Sequence, residues 1–323
     1  SPFYLCEHCA CPIEEFDRDD MLAKGYWKAS KPFNGVASFQ INQIYSPFVS
    51  WGRMVIDFLE SKSDITKLEV YTNTVLGEVW KPVERIDYED MSWKLEHYAA
   101  DVPPGVLVLT AGVDIQKNRI EAEVTGWGRN DESWSIAYRV FEGDTGIELA
   151  DGEDVDDDFT DVWDDLEDFL SSSFAGVDGQ LFRIQCVCID SGYQTTRVYR
   201  FVKKNQKKRW FAVKGMSDPF KPLVSKPTMS GKNPKVRLFP IGTNAAKDVI
   251  YSSLKVAKPG PNYCHFPDIE PYDDEYFKQL CSEKMVTHTR GGNTYRVYEK
   301  IAASVRNEAL DVRVYATAAR VLL

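Results

Sequence analysis

No apolar run in this 323-residue chain approaches the roughly 20 residues a helix needs to cross a bilayer, so a helical membrane span is excluded. Its first residues lack the basic-then-apolar pattern of a secretory leader. The chain begins at Ser1 without a methionine, as a fragment or a processed protein would. Histidine is scarce, and His97, His265 and His288 have no zinc-like partner at ligand spacing, so neither a helix-borne zinc site nor a Cys–His nucleophile pair can be argued. Gly-x4-Gly-Lys-Ser/Thr is absent, which removes a P-loop, and so is the Gly-x-Ser-x-Gly of a serine hydrolase elbow. Seven cysteines make no regular disulfide framework; Cys186, Cys188, Cys264 and Cys281 lie in apolar or mixed segments and read as buried free thiols. That usage favours a reducing, cytoplasmic setting. No internal repeat is visible.

What is present supports a sizeable core, with 43% hydrophobic and 13% aromatic residues. The length predicts one large domain plus a smaller piece. A formal charge of −10 argues against wholesale coating of nucleic acid, yet the charge is strongly polarised. Fourteen acids and no bases lie between Glu142 and Asp168, whereas thirteen bases and one acid, Asp218, lie between Arg197 and Arg237.

The pattern changes at Asp101-Val-Pro-Pro-Gly105, two prolines and a glycine between periodic segments. Before it, Val49–Leu59 has helical periodicity and Asn73–Trp80 reads as a connection. Near the start, Cys6 and Cys9 have the spacing of half a zinc knuckle, with His8 and Cys11 as further candidate ligands and three ordinary thiols as the plainer reading. After the boundary, Val106–Asp114 is a buried strand, and Arg119–Trp127 and Ser133–Phe141 alternate as antiparallel partners around a turn at Gly126–Asp131. Thr160–Phe174 is an amphipathic helix with Val162, Leu166, Phe169 and Leu170 on one face. Phe182–Asp190 is a buried strand, Thr196–Lys204 a short helix, and Trp210–Val213 and Lys235–Pro240 are strands separated by a mobile loop at Asp218–Pro234. Helices are expected at Asn244–Leu254, Asp273–Lys284 and Asn307–Leu322, with a short strand at Thr294–Tyr298. Three strands in hairpin order, a helix, then a βαβ unit is the order of an RNase H-like sheet.

Three acidic stretches stand out against this pattern. Asp114 and Asp190 each end an apolar, β-branched strand, where a lone carboxylate is costly unless something compensates it. Asp190 precedes Ser191-Gly192, at the carboxyl end of a strand where open α/β sheets place their ligands. The third stretch is Asn307-Glu308-Ala-Leu-Asp311, in which Asn307 and Asp311 share a helix face and Ala309, Val312 and Ala316 form a small-residue side. Turn capping is the competing reading for Asp114 and Asp190, and helix capping for Glu308. Three convergent carboxylates suit Mg²⁺ or Mn²⁺, which prefer hard oxygen ligands, and can hold two ions roughly 4 Å apart across a phosphodiester. Lys247 is a candidate for contact with a phosphate or a transition-state oxygen, against the plainer reading of a solvated lysine. The run Arg197, Arg200, Lys203, Lys204, Lys207 and Lys208, interleaved with Tyr199, Phe201, Trp210 and Phe211 and without balancing acids, follows Asp190; beside a metal centre it suits contact with a phosphate backbone rather than with bases, against the plainer reading of a solvated helix face.

These residues resemble a known family. Thr110–Trp134 (TAGVDIQKNRIEAEVTGWGRNDESW), Ile189–Gly192 (IDSG), Phe211–Gly215 (FAVKG), Ile241–Lys247 (IGTNAAK) and Arg306–Ala316 (RNEALDVRVYA) are similar to the nuclease domain of the large terminase subunit of lambda-type tailed phages. Phe39–Trp51 and Asn73–Trp80 resemble the end of that family's ATPase region, and Cys6–Cys9 the second half of its zinc-ribbon-like element, with Ala10 where a glycine is usual. The resemblance implies a packaging motor that cuts concatemeric viral DNA and pumps it into a procapsid. It implies an ATPase, whose Walker motifs would lie upstream of Ser1, and an endonuclease, which alone would reside in this chain. Mg²⁺ or Mn²⁺, a small terminase subunit and a portal are implied as partners, and the host cytoplasm as the location. Asp114 and Asp190 match the family's first and second metal-binding acids; the third falls within Asn307–Asp311, with Asp311 favoured and Glu308 its rival.

The resulting expectation is an α/β protein: a partial zinc-knuckle-like segment (1–30), the end of an ATPase region with its linker (31–104), and a nuclease domain (105–323) whose RNase H-like mixed sheet is flanked by helices. Rival readings are another RNase H-like nuclease, such as a junction resolvase, and a non-enzymatic DNA-binding or head-assembly module.

Overall fold

The computed structural model describes every residue except 1, 7–8, 30–31, 34, 63–64, 81–85, 147–160, 233 and 291–292. His8 and most of the acidic run after Glu142 therefore lie outside the described residues. The chain divides into two compact units, Ser1–Pro82 and Val83–Leu323, so this division falls before the Asp101–Gly105 turn.

The first unit is α+β. Strands β1 (Phe3–Leu5) and β2 (Pro12–Glu14) form a hairpin whose turn carries Cys6, Cys9 and Cys11. The Cys6 N–H donates to the Cys11 carbonyl at 3.0 Å, and the Ala10 N–H to the Cys6 carbonyl at 2.8 Å. Ala10 has φ 56°, a left-handed conformation that favours glycine. After the short helix α1 (Arg18–Ala23), α2 (Trp51–Ser61) starts where the Ser50 hydroxyl accepts from the Arg53 N–H. Trp51 and Met54 of α2 are buried, and Tyr71 of α3 (Ile65–Thr74) donates to the Met54 carbonyl.

The second unit is built on one mixed sheet. Its strands are β3 (Leu95–Glu96), β4 (Val108–Ile115), β5 (Arg119–Trp127), β6 (Ser133–Glu142), β7 (Ser173–Ala175), β8 (Leu181–Asp190), β9 (Trp210–Met216), β10 (Thr228–Ser230), β11 (Val236–Gly242) and β12 (Cys264–Pro267). In space the order is β10-β11-β9-β8-β4-β5-β6-β12-β3, with β7 paired to β8 outside that path. The meander β4-β5-β6 is antiparallel; β8 then joins β4, β9 joins β8, and β11 joins β9, all in parallel. An antiparallel meander extended by parallel strands on its first member is the RNase H-like arrangement.

Helices cover both faces. On one side α4 (Asp161–Ser171) and α5 (Thr195–Lys204) pack on Leu109, Ala111, Val113, Val187 and Ile189. On the other, α6 (Thr243–Leu254), α7 (Asp274–Leu280) and α8 (Glu308–Val321) pack on Cys186, Cys188 and Val213. Side chains alternate across a strand, so the odd positions of β4 from Leu109 to Val113 belong to the first core, while Thr110, Gly112 and Asp114 face α8. Gly112 is required there: a Cβ at this position would stand 1.9 Å from the Val312 carbonyl oxygen and 2.5 Å from the Ala316 nitrogen. Backbone thus touches backbone, and the small-residue side of α8 lies directly on the sheet.

The remaining elements depart from the periodicity reading. The helix expected over Asp273–Lys284 is only α7, capped by the Asp273 carboxylate accepting from the Tyr276 N–H at 2.9 Å. Beyond it the chain enters β13 (Glu283–Arg290), which pairs with β14 (Asn293–Lys300) along its full length. The short strand expected at Thr294–Tyr298 is therefore half of a hairpin whose other half begins inside the expected helix. The helix expected to reach Phe174 ends at Ser171, and Ser173–Ala175 pairs with β8. Part of the supposed mobile loop, Thr228–Ser230, is the edge strand β10. Strands of two to four residues such as β3, β7, β10 and β12 are too short to carry a period, and only a partner strand defines them.

Candidate functional site

Two adjacent parallel strands bring the first two acids together. Val113 pairs with Ile189, so Asp114 and Asp190 stand one step further along neighbouring strands, both on the α8 face. Close packing at Gly112 carries the first turns of α8, and with them Asp311, over the same strand ends.

The electrostatics record this convergence. Burial is the main cause that pushes the Asp114 carboxyl up to about 8; Asp311 raises it further, Gln116 opposes by donating a hydrogen bond, and Asp190 and Glu121 add to the rise. Burial also pushes Asp311 up to about 7; Lys247 works against the shift, and Glu283 and Asp190 with it. For Asp190 burial again raises the value, opposed by hydrogen bonds from the Gly192 and Ser191 backbone and from Tyr315, and by Lys214. Among the described residues, no three His, Cys, Asp or Glu side chains already stand at metal-binding distances. The acids are neighbours that repel, not a closed ligand cage.

Glu308 has a different environment. Arg119 binds it at 2.6 Å and Arg306 at 3.2 Å. Burial by itself would raise its value, but a backbone hydrogen bond and these two guanidinium groups hold it below the usual carboxylate range. Arg119 and Arg306 also bind the buried Glu121. Glu308 is thus part of an ionic web that ties the start of α8 to β5, while Asp311, one turn on, faces Asp114 and Asp190.

Lys247 is neither solvated nor free to meet a phosphate as placed. It is buried, and its ammonium donates to both carboxylate oxygens of Glu283, at 2.8 and 2.7 Å. Glu283 begins β13, inside the segment whose period suggests helix, so periodicity hid this partner. Sequence reasoning also missed the part played by Gln116, Asn307 and Tyr315, although each lies inside a motif it singles out.

The basic run departs from expectation in two ways. Its helix α5 packs on the α4 side of the sheet, opposite the acid cluster. Arg197 is buried, its guanidinium lying against Gly146. An acid from another element balances part of the run: Glu167 of α4 binds Lys204 at 2.9 Å and Lys208 at 3.6 Å. Lys208 also lies over the Trp210 ring. Arg200 is half-buried, and Lys203 and Lys207 are exposed. Exposed cations whose charge reaches the cluster come from other elements, Lys214 of β9 toward Asp190 and Lys300 of β14 toward Asp311.

The family described as terminase large subunit gpA, endonuclease domain, matches residues 36–323. The terminase large subunit of Escherichia phage lambda is 34% identical over 345 residues, covering 99% of this chain and 51% of that protein. That of Enterobacteria phage P21 is 31% identical over 346 residues, with the same shares covered. The chain therefore spans about half the length of the curated relatives it matches. Among solved structures, the large terminase of a thermophilic bacteriophage is similar with a TM-score of 0.42 and 13% identity, over 86% of this chain and 54% of that one.

Proposed function

We propose, from the premise that this chain belongs to the family of terminase large subunit gpA endonuclease domains, that it hydrolyses double-stranded DNA at Asp114, Asp190 and Asp311. One observation carries this reading. The three acids meet on one face of the sheet, all three carboxyls raised by burial, and those of Asp114 and Asp311 raised further by the neighbouring acids. A fold retains so unfavourable a grouping when another charge is meant to balance it.

Their donor set is all carboxylate oxygen, which fits Mg²⁺ or Mn²⁺. When bound, two such ions would polarise the phosphodiester and activate the attacking water. Every other contribution belongs to the chain itself. Asp114 and Asp190, on rigid neighbouring strands, set the floor of the site, and Asp311 closes it from α8. Lys247, clamped by Glu283, offsets part of the negative charge beside Asp311 without reaching the front of the cluster. Lys214 and Lys300 offer phosphate contacts around the site, and Lys203 and Lys207 extend backbone contact on the far side of the sheet.

In the full-length protein the substrate is concatemeric viral DNA, and the partners are a small subunit and a portal, with the host cytoplasm as the place of action. Zinc at Cys6 and Cys9 is a secondary proposal, supported by three thiols gathered at one turn and tested by metal content. Plasmid nicking in Mn²⁺ tests the main reading: Asp114→Ala and Asp190→Ala abolish it while the circular dichroism spectrum stays that of the wild type. Unchanged nicking in both variants ends the proposal. Preference for a four-way junction over linear duplex moves the chain to the resolvase class.

A further inference from the structure

Each acid of the cluster accepts from an uncharged side chain, one of which, Asn307, also donates to Glu283 at 3.2 Å. The Gln116 amide donates to Asp114 at 2.5 Å, and the Asn307 amide to Asp311 at 2.9 Å. The Tyr315 hydroxyl donates toward Asp190 and lies against Gly215, on the strand that pairs with the end of β8. Asn307, Asp311 and Tyr315 are spaced four residues apart, so one stripe of α8 presents donor, acid and donor in turn.

The neighbouring buried acids are treated differently. Glu121 and Glu308 are bound by Arg119 and Arg306, Glu123 by Arg313, and Glu283 by Lys247. Among the described residues, none of Asp114, Asp190 and Asp311 is ion-paired with a Lys or Arg side chain. The structural acids thus have a fixed cation beside their neutral donors, as Glu123 has Arg313 beside Tyr276 and Ser135, whereas the acids of the cluster have neutral donors and no ion pair.

We propose that Gln116, Tyr315 and Asn307 are positioning residues that orient one carboxylate each for a divalent cation without adding a positive charge that would compete with it. A neutral donor fixes the rotamer of a carboxylate and leaves its charge for the ion, whereas a guanidinium would do the first and cancel the second. This inference rests on the metal-dependent reading above and adds three residues that do not themselves bind the ion.

Calorimetric titration of MnCl₂ into the full chain tests it, on the wild type, Tyr315→Phe, Gln116→Met and Asp114→Asn. Tyr276→Phe is the control, because Tyr276 is a buried tyrosine that donates to the cation-paired Glu123 at 2.9 Å. Tyr315→Phe and Gln116→Met each weaken Mn²⁺ binding about tenfold. Their melting temperatures in EDTA fall no further than that of Tyr276→Phe, which binds Mn²⁺ as the wild type does. Wild-type Mn²⁺ affinity in both Tyr315→Phe and Gln116→Met overturns the inference and leaves the nuclease reading standing, provided Asp114→Asn has lost the heat. Absence of Mn²⁺ heat in the wild type, or its survival in Asp114→Asn, overturns both. Should Tyr315→Phe fail to fold, Gln116→Met carries the same decision.

Discussion

Two groups of acids, buried or half-buried, lie within a few residues of each other on one face of the sheet. Glu123 meets Arg313 at 3.1 Å through one carboxylate oxygen, and the same guanidinium donates to Thr125, Ser133 and Ser135. Asp114, Asp190 and Asp311 instead have one another and a few neutral donors. The difference teaches what burial alone does not reveal. A carboxylate with a fixed cation is finished as a structural element, whereas one without it retains affinity for a charge from outside.

Breaking the finished pair has the largest effect. Arg313→Met strands Glu123 in the core and lowers stability by about 3–5 kcal/mol, measured by urea denaturation. A loss under about 1 kcal/mol would erase the distinction between the two groups. Next comes the packing that brings the unpaired group together. Gly112→Ala drives a methyl into the Val312 carbonyl and lifts α8, costing about 1–3 kcal/mol and moving Asp311 away from Asp114. Mn²⁺-dependent nicking falls with it.

Relieving the unpaired group has the opposite sign. The Asp114 carboxyl titrates near 3.8 when unfolded and about 8 when folded, so the folded state holds its proton more tightly. That contribution is full below the unfolded value and is lost as pH rises through the folded one, so metal-free wild type loses stability between about pH 4 and 8. Asp114→Asn flattens that slope and, in EDTA at pH 8, is more stable than wild type by about 1 kcal/mol or more, one pKa unit being worth about 1.4 kcal/mol. The smallest effect is at the surface, where Lys204→Ala removes an exposed pair with Glu167 and changes stability by about 0.2–1 kcal/mol. A larger loss there would mean that exposure does not separate the classes.

The long strands and the closing helix were legible because their periods are regular. Arg119–Trp127 alternates, Asp114 and Asp190 end apolar runs, and Asn307 and Asp311 share a face; the structure has all of these. Glu283 was not legible, because the segment that carries it reads as the end of a helix until β14 pairs with it. The burial of Arg197 was hidden for a related reason: a run of bases looks like a solvated face until the loop at Gly146 covers one of them.

Sequence by itself determined which acids stand at strand ends, which helix has a side small enough to lie on a sheet, and that no helix among the described residues is long and apolar enough to cross a membrane. These are local properties, set by the period of side chains along a strand or helix. Only the tertiary structure decided that Asp311 faces Asp114 while Glu308 is bound by Arg119 and Arg306, and that Lys247 belongs to Glu283. Coulomb energy depends on distance through space, and residues far apart in the chain become neighbours only when the sheet closes over the helix.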